Sequence, residues 1–76
     1  MMNKYHINIF YSEDDEGYIA DIPDLRFCSA FGDTPQEALN ELAIAFELWL
    51  EVAKEKNIAI PEARYKPTPL AYQAAQ

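Results

Sequence analysis

A chain of 76 residues with a formal net charge of −7 and 50 % hydrophobic residues allows one small globular domain, and it excludes disorder and disfavours nucleic-acid binding by the surface as a whole. One cysteine and one histidine leave no internal disulfide and no Cys/His set at metal-ligand spacing, so no metal, cofactor or catalytic residue is assigned, and a reduced, cytoplasmic setting fits best. No secretory pattern opens the chain and no apolar run approaches the roughly 20 residues of a membrane span, so no membrane is expected.

In chain order, Lys4 to Tyr11 alternates. Tyr5, Ile7, Ile9 and Tyr11 share one face and Lys4, His6, Asn8 and Phe10 the other, in residue types that favour strands. The polar run Ser12-Glu13-Asp14-Asp15-Glu16-Gly17 reads as a turn, and Gly17 to Ile22 as the returning strand of a hairpin, ended by Pro23-Asp24. Arg26 to Phe31 alternates again and predicts a third strand before Gly32-Asp33. Thr34-Pro35-Gln36-Glu37 then opens a helix, with Thr34 as cap, Pro35 where no N–H is needed and Glu37 as the second half of a capping box.

Helical spacing from Thr34 to about Lys56 gathers Leu39, Leu42, Ala43, Ala45, Phe46, Trp49, Leu50, Val52 and Ala53 on a core-facing arc. Opposite them stand Gln36, Glu37, Asn40, Glu41, Glu47, Glu51, Lys54 and Glu55. Ile44 and Leu48, four apart, fall inside that acidic face and are expected to be exposed in a monomer; single exposed apolar residues are ordinary, but a pair one turn apart also fits a contact with another chain. Like-charged pairs at this spacing, Glu37 with Glu41 and Glu51 with Glu55, weaken an isolated helix, which a partner would offset.

Asn57 suits the position just past the helix, after Lys54 and Lys56 near the negative end of its dipole. Ile58-Ala59-Ile60-Pro61 predicts a short last strand, and residues 62–76, with Tyr65, Pro67, Pro69, Leu70 and Tyr72, a tail that is extended or laid on a partner. The expected architecture is α+β: a three-stranded antiparallel sheet on one long helix, plus that terminal strand. The second face of the sheet carries either the Phe10 or the Tyr5 row, which is apolar for a solvated surface and suggests association. Charge is unevenly placed along the chain. Up to Ala53 the acids face only Lys4 and Arg26, whereas Lys54, Lys56, Arg64 and Lys66 then outnumber Glu55 and Glu62.

The ordered set Gly17-Tyr18-Ile19-Ala20, Ile22-Pro23-Asp24-Leu25, Cys28 and Gly32-Asp33-Thr34-Pro35-Gln36-Glu37-Ala38-Leu39 resembles the HicB-like antitoxin family, as do the long acidic helix and the terminal Ile60-Pro61. The resemblance runs from about Lys4 to Pro61. Phe27 departs from it, standing where the family often has Gly before the Cys. What the resemblance implies is a β-β-β-α-β fold similar to a pared-down RNase H-like domain, and a partner: a small basic HicA-type toxin, an mRNA-cleaving ribonuclease that the domain blocks. It also implies self-assembly as a homodimer or tetramer. Many members carry a C-terminal DNA-binding module, but only about 15 residues follow Pro61 here, too few for a helix-turn-helix, so no direct DNA binding is expected from this chain alone.

The function these readings favour is a protein-binding module whose acidic surface occludes the RNA-binding surface of a basic toxin. Glu13, Asp14, Asp15 and Glu16 are the first candidates for that contact and Glu37, Glu41, Glu51 and Glu55 the second, although the turn alone reads equally well as a solvated loop. Ile44 and Leu48 are the candidate oligomer interface. The alternative is a stand-alone homo-oligomer of unknown role. Metal-dependent phosphodiester hydrolysis is a remote third, since it needs carboxylates converging on metals about 4 Å apart and Asp21 is the one strand acid that could point into a site. Asp14 to Gly17 lacks the EF-hand spacing, His6 reads as a sheet residue, and Cys28 as a small buried packing residue.

Overall fold

In the computed structural model, which describes residues 2–66, one turn of 3₁₀ helix at Met2–Lys4 precedes β1 (Asn8–Ser12), β2 (Gly17–Asp21), β3 (Ser29–Gly32) and α1 (Pro35–Glu55). The three strands form an antiparallel sheet in the order β1-β2-β3, with α1 laid across one face, an α+β fold. Register fixes the two faces. Ile9, Ala20 and Ala30 lie side by side under the helix, next to Tyr11, Tyr18 and Gly32; the rows Phe10-Ile19-Phe31 and Asn8-Asp21-Ser29 look the other way.

The helix side is closed by small residues that let two backbones come close. Ala20 and Ala38 are fully buried, and a Cβ built on Gly32 would stand 2.3 Å from the Ala38 backbone nitrogen, so the first turn of α1 rests on bare β3 backbone. Leu42 and Phe46 then fill the centre with Ile22, Leu25 and Cys28 from the β2–β3 loop. Burying each large apolar side chain stabilises the fold by about 2 kcal/mol.

The helix start follows the sequence reading with one change. Thr34 Oγ1 accepts from the Glu37 N–H at 3.1 Å, but Glu37 Oε1 accepts from the N–H of Asp33, at 3.0 Å, rather than from that of Thr34. At the other end Asn57 takes φ 55°, the Asn57 N–H donates to Lys54 O at 3.3 Å and the Ile58 N–H to Ala53 O at 2.8 Å. Those two bonds make a Schellman motif with asparagine in the left-handed position.

Four expectations need correction. β1 begins at Asn8 rather than Lys4, because its partner β2 ends at Asp21 and leaves Tyr5 to Ile7 nothing to pair with. β3 begins at Ser29 rather than Arg26, since residues 22–28 fold back on themselves, the Ile22 N–H donating to Cys28 O at 3.0 Å. On α1, Ala43 and Val52 are exposed, while Ala38, left off the expected arc, is buried. The terminal strand at Ile58 to Ile60 is not formed. Its first N–H is spent on the Schellman motif and Pro61 has none to give. Residues 58–66 instead run extended, held by side chains: Tyr5 Oη donates to Pro61 O, and both Asp24 carboxylate oxygens accept from the Tyr65 N–H, at 3.0 and 3.1 Å, with Oδ2 also accepting from the Arg64 N–H at 3.0 Å. The expectations placed on Pro67 to Gln76 lie outside the described residues.

Candidate functional site

Topology sorts the charges that the chain only partly separates. The β1–β2 turn sits beside Gly17, which pairs with Ser12, and Gly17 lies against Phe31 and Gly32, where α1 begins. The turn and the helix N-terminus therefore share one end of the molecule. Glu13, Asp14, Asp15 and Glu16 meet Asp33, Glu37 and Glu41 there, all exposed and without a lysine or arginine among them. The turn is shaped by Ser12, whose Oγ accepts from the Asp15 N–H at 3.3 Å and donates to Asp15 Oδ2 at 2.8 Å, and by Glu16 at φ 54°.

Glu51 and Glu55 belong elsewhere. They ride on the last two turns of a helix of 21 residues, about 30 Å long. Of the eight acids singled out in the sequence, six thus gather at one end and two stand at the other. Asp33 joins the six; its place at the helix start made it readable as a turn residue only.

The opposite end collects the cations. Trp49 Nε1–H donates to Arg26 O at 2.9 Å, tying the β2–β3 loop to the second half of α1. Lys4 and Lys54 line one cavity there, Lys56 caps the helix, and Arg64 and Lys66 flank the residue whose N–H Asp24 holds. Every lysine and arginine of the chain is on this side of the molecule, so the protein carries a strong charge asymmetry along the helix direction. Here too is Phe27, 90 % exposed, at φ 62°, a conformation that costs a non-glycine residue roughly 1–2 kcal/mol. At this bend, where the HicB-like resemblance implies glycine, the chain has phenylalanine. Beside it lies an open groove of Ala45, Leu48, Trp49, Val52, Ala53 and Ile58. Ile44 and Leu48, expected to be exposed, are both 56 % so; that Phe27 and Ile58 stand beside Leu48 does not follow from helical spacing, since it needs the β2–β3 loop and the Schellman turn.

The polar row behind the sheet holds no assembled chemistry. Asp21 does point away from the helix side, and its Oδ1 is buried without a hydrogen-bond partner among the described residues. Burial pushes the Cys28 thiol up from its ordinary range, and the nearby Asp21 charge adds to that, which keeps the sulfur protonated. His6 Nε2 and Asn8 Oδ1 are 2.7 Å apart, the imidazole stacked 4.7 Å from the Tyr65 ring. Among the described residues no three His, Cys, Asp or Glu side chains converge as metal ligands would, and no helix is long and apolar enough to cross a membrane.

The fold and these two ends define a small α+β protein with a split surface, one end acidic and free of cations, the other apolar with its cations balanced by acids. The chain belongs to the UPF0150-like family, whose profile matches residues 2–66. It is similar to the "UPF0150 protein ssl0259" of Synechocystis sp., with 42 % identity over 53 residues, which is 70 % of this chain and 73 % of that protein. No solved structure gives a significant match.

Proposed function

We propose that this chain is a protein-binding module of the HicB-like antitoxin type, which neutralises a small basic, mRNA-cleaving toxin in the cytoplasm by covering its RNA-binding surface. The observation that carries the reading is the cation-free acidic end, where Glu13 to Glu16 come together with Asp33, Glu37 and Glu41. Carboxylates so placed compete with RNA phosphates for the same lysines and arginines and speed encounter with a basic surface. Like charges crowded on one end also cost the monomer some stability, which a cationic partner would return.

The test is a pull-down of the tagged protein from its native cells at moderate and at high salt, with co-purifying chains identified by mass spectrometry. A small basic protein that cleaves RNA alone, is silenced by this chain, and is lost as salt rises is the expected result. Recovery of no basic chain at either salt overturns the proposal.

A second reading, self-association, is favoured by the exposed pair Ile44 and Leu48. It is compatible with the first where the contact centres on Leu48, seven residues along the helix from Glu41, the last acid of that end.

A further inference from the structure

Phe27 combines two properties that the monomer does not use. Its backbone sits at φ 62°, where glycine would be relaxed, and its ring is 90 % exposed, so the aromatic side chain offsets little of the strain by packing. Its position is nonetheless fixed. The neighbouring Arg26 carbonyl is held by the Trp49 indole at 2.9 Å, the Arg26 guanidinium lies 5.3 Å over the Phe27 ring, and Cys28, next in the chain, is buried. The result is a rigid aromatic knob, the kind of group that carries binding energy at interfaces.

Immediately beside the knob is a groove of about 690 Å³ floored by Ala45, Trp49 and Ala53 and walled by Leu48, Val52 and Ile58. A knob next to a groove on one surface is self-complementary under a two-fold rotation, which sends each knob into the other groove. We propose that this face binds a second copy of the chain, the Phe27 ring of each copy seated in the groove of the other.

Charge favours a second copy over a basic protein at this end. Arg26 borders the knob and Asp24 lines the groove, so a surface of cations alone would set like charge against Arg26. Glu51 and Glu55 follow Leu48 and Val52 by three residues and stand beside them on the helix, so a two-fold partner brings its Arg26 toward acids. Area is sufficient as well. Phe27, Ile44, Leu48, Val52 and Ile58 are 44–90 % exposed, together on the order of 500 Å² of apolar surface per copy, a large part of the roughly 800 Å² per partner in a standard interface. The pairing leaves both acidic ends free.

The inference rests on the self-association reading and sharpens it to a residue. Its test is sedimentation velocity over a range of concentrations, with emission from the lone Trp49 followed in parallel. Wild type should dimerise with a blue shift of Trp49 emission as its groove dries. Phe27→Gly should weaken dimerisation at least tenfold while its thermal midpoint, measured at a concentration where both proteins are monomers, stays level or rises. Leu48→Glu should also dissociate the dimer. A monomeric wild type at every concentration overturns self-association and this face together. A wild-type dimer that Phe27→Gly leaves intact overturns the knob-and-groove pairing alone and moves the contact to another surface, such as the Phe10-Ile19-Phe31 face.

Discussion

At one end of the molecule seven carboxylates, those of Glu13, Asp14, Asp15, Glu16, Asp33, Glu37 and Glu41, stand without a cation; at the other, where the lysines and arginines lie, Arg26 borders an apolar groove and an exposed phenylalanine. Both ends hold features that cost the isolated chain stability: like charges at the first, a left-handed Phe27 at the second. The costs differ in kind. Charge repulsion at the acidic end is spread over many side chains and falls with salt, whereas the strain at Phe27 is local and indifferent to salt. The two proposals accordingly assign the ends different partners: a diffuse basic surface for one, a shape-matched apolar face for the other. Both hang on a common core, and the predictions below begin there.

Leu42 packs centrally under both ends, fully buried. Leu42→Ala should lower the unfolding free energy by about 3 kcal/mol, read as an earlier urea midpoint, and a chain this small would be largely unfolded by it. A change under 1 kcal/mol would mean that the helix does not pack as described. Next in size, Gly32→Ala drives a methyl into the Ala38 nitrogen and the Glu37 carbonyl carbon, backbone atoms that cannot step aside. It should cost about 2 kcal/mol and loosen the acidic end. Gly17→Ala meets the exposed ring of Phe31, which can swing away, and the Gly32 carbonyl oxygen at 3.0 Å, a milder clash than those at Gly32, so its cost should be smaller; equal losses would contradict the different roles given to the two glycines.

Neutralising the turn with Glu13→Gln, Asp14→Asn, Asp15→Asn and Glu16→Gln together should raise stability by a few tenths of a kcal/mol at low salt. The gain should vanish at high salt, and sedimentation should be unchanged if the two ends act independently. The smallest effect concerns Cys28. Burial raises the thiol above its unfolded value, so its contribution to stability is complete below the ordinary thiol range and is lost as pH rises through the folded value. Stability should therefore decline on the alkaline side, Cys28→Ala should flatten that decline, and the native thiol should resist iodoacetamide until the chain unfolds.

Much of the fold was readable because its signals are local. Thr34 to Glu37 marks the helix start through capping chemistry, Asn57 marks its end through tolerance of positive φ, and alternation sorts Phe10 from Tyr11. What could not be read depends on contacts between distant residues. Ile58 to Ile60 has strand-like composition, yet strand formation needs a partner with free hydrogen-bonding groups, and the Asp24 carboxylate captures Arg64 and Tyr65 from 40 and 41 residues away. The acidic end was half legible: Glu13 to Glu16 is a visible run, but its union with Asp33, Glu37 and Glu41 required the β1–β2 register and the Gly32 contact. Phe27 carried a signal, its departure from the glycine that the HicB-like resemblance implies, and only the φ of 62° and the 90 % exposure of its ring give that departure a meaning.

The central claim is that a basic surface is met by the acidic end and not by the acids along the rest of the helix. An amide-resolved NMR titration with an octalysine peptide at low salt tests it directly. The largest shifts should fall at Glu13 to Gly17 and at Asp33 to Glu41, reversed by added salt, with Arg26 to Cys28 and Leu48 to Ile58 little changed. Dominant shifts at Glu47 to Glu55, or shifts spread evenly over all the acids, would contradict it.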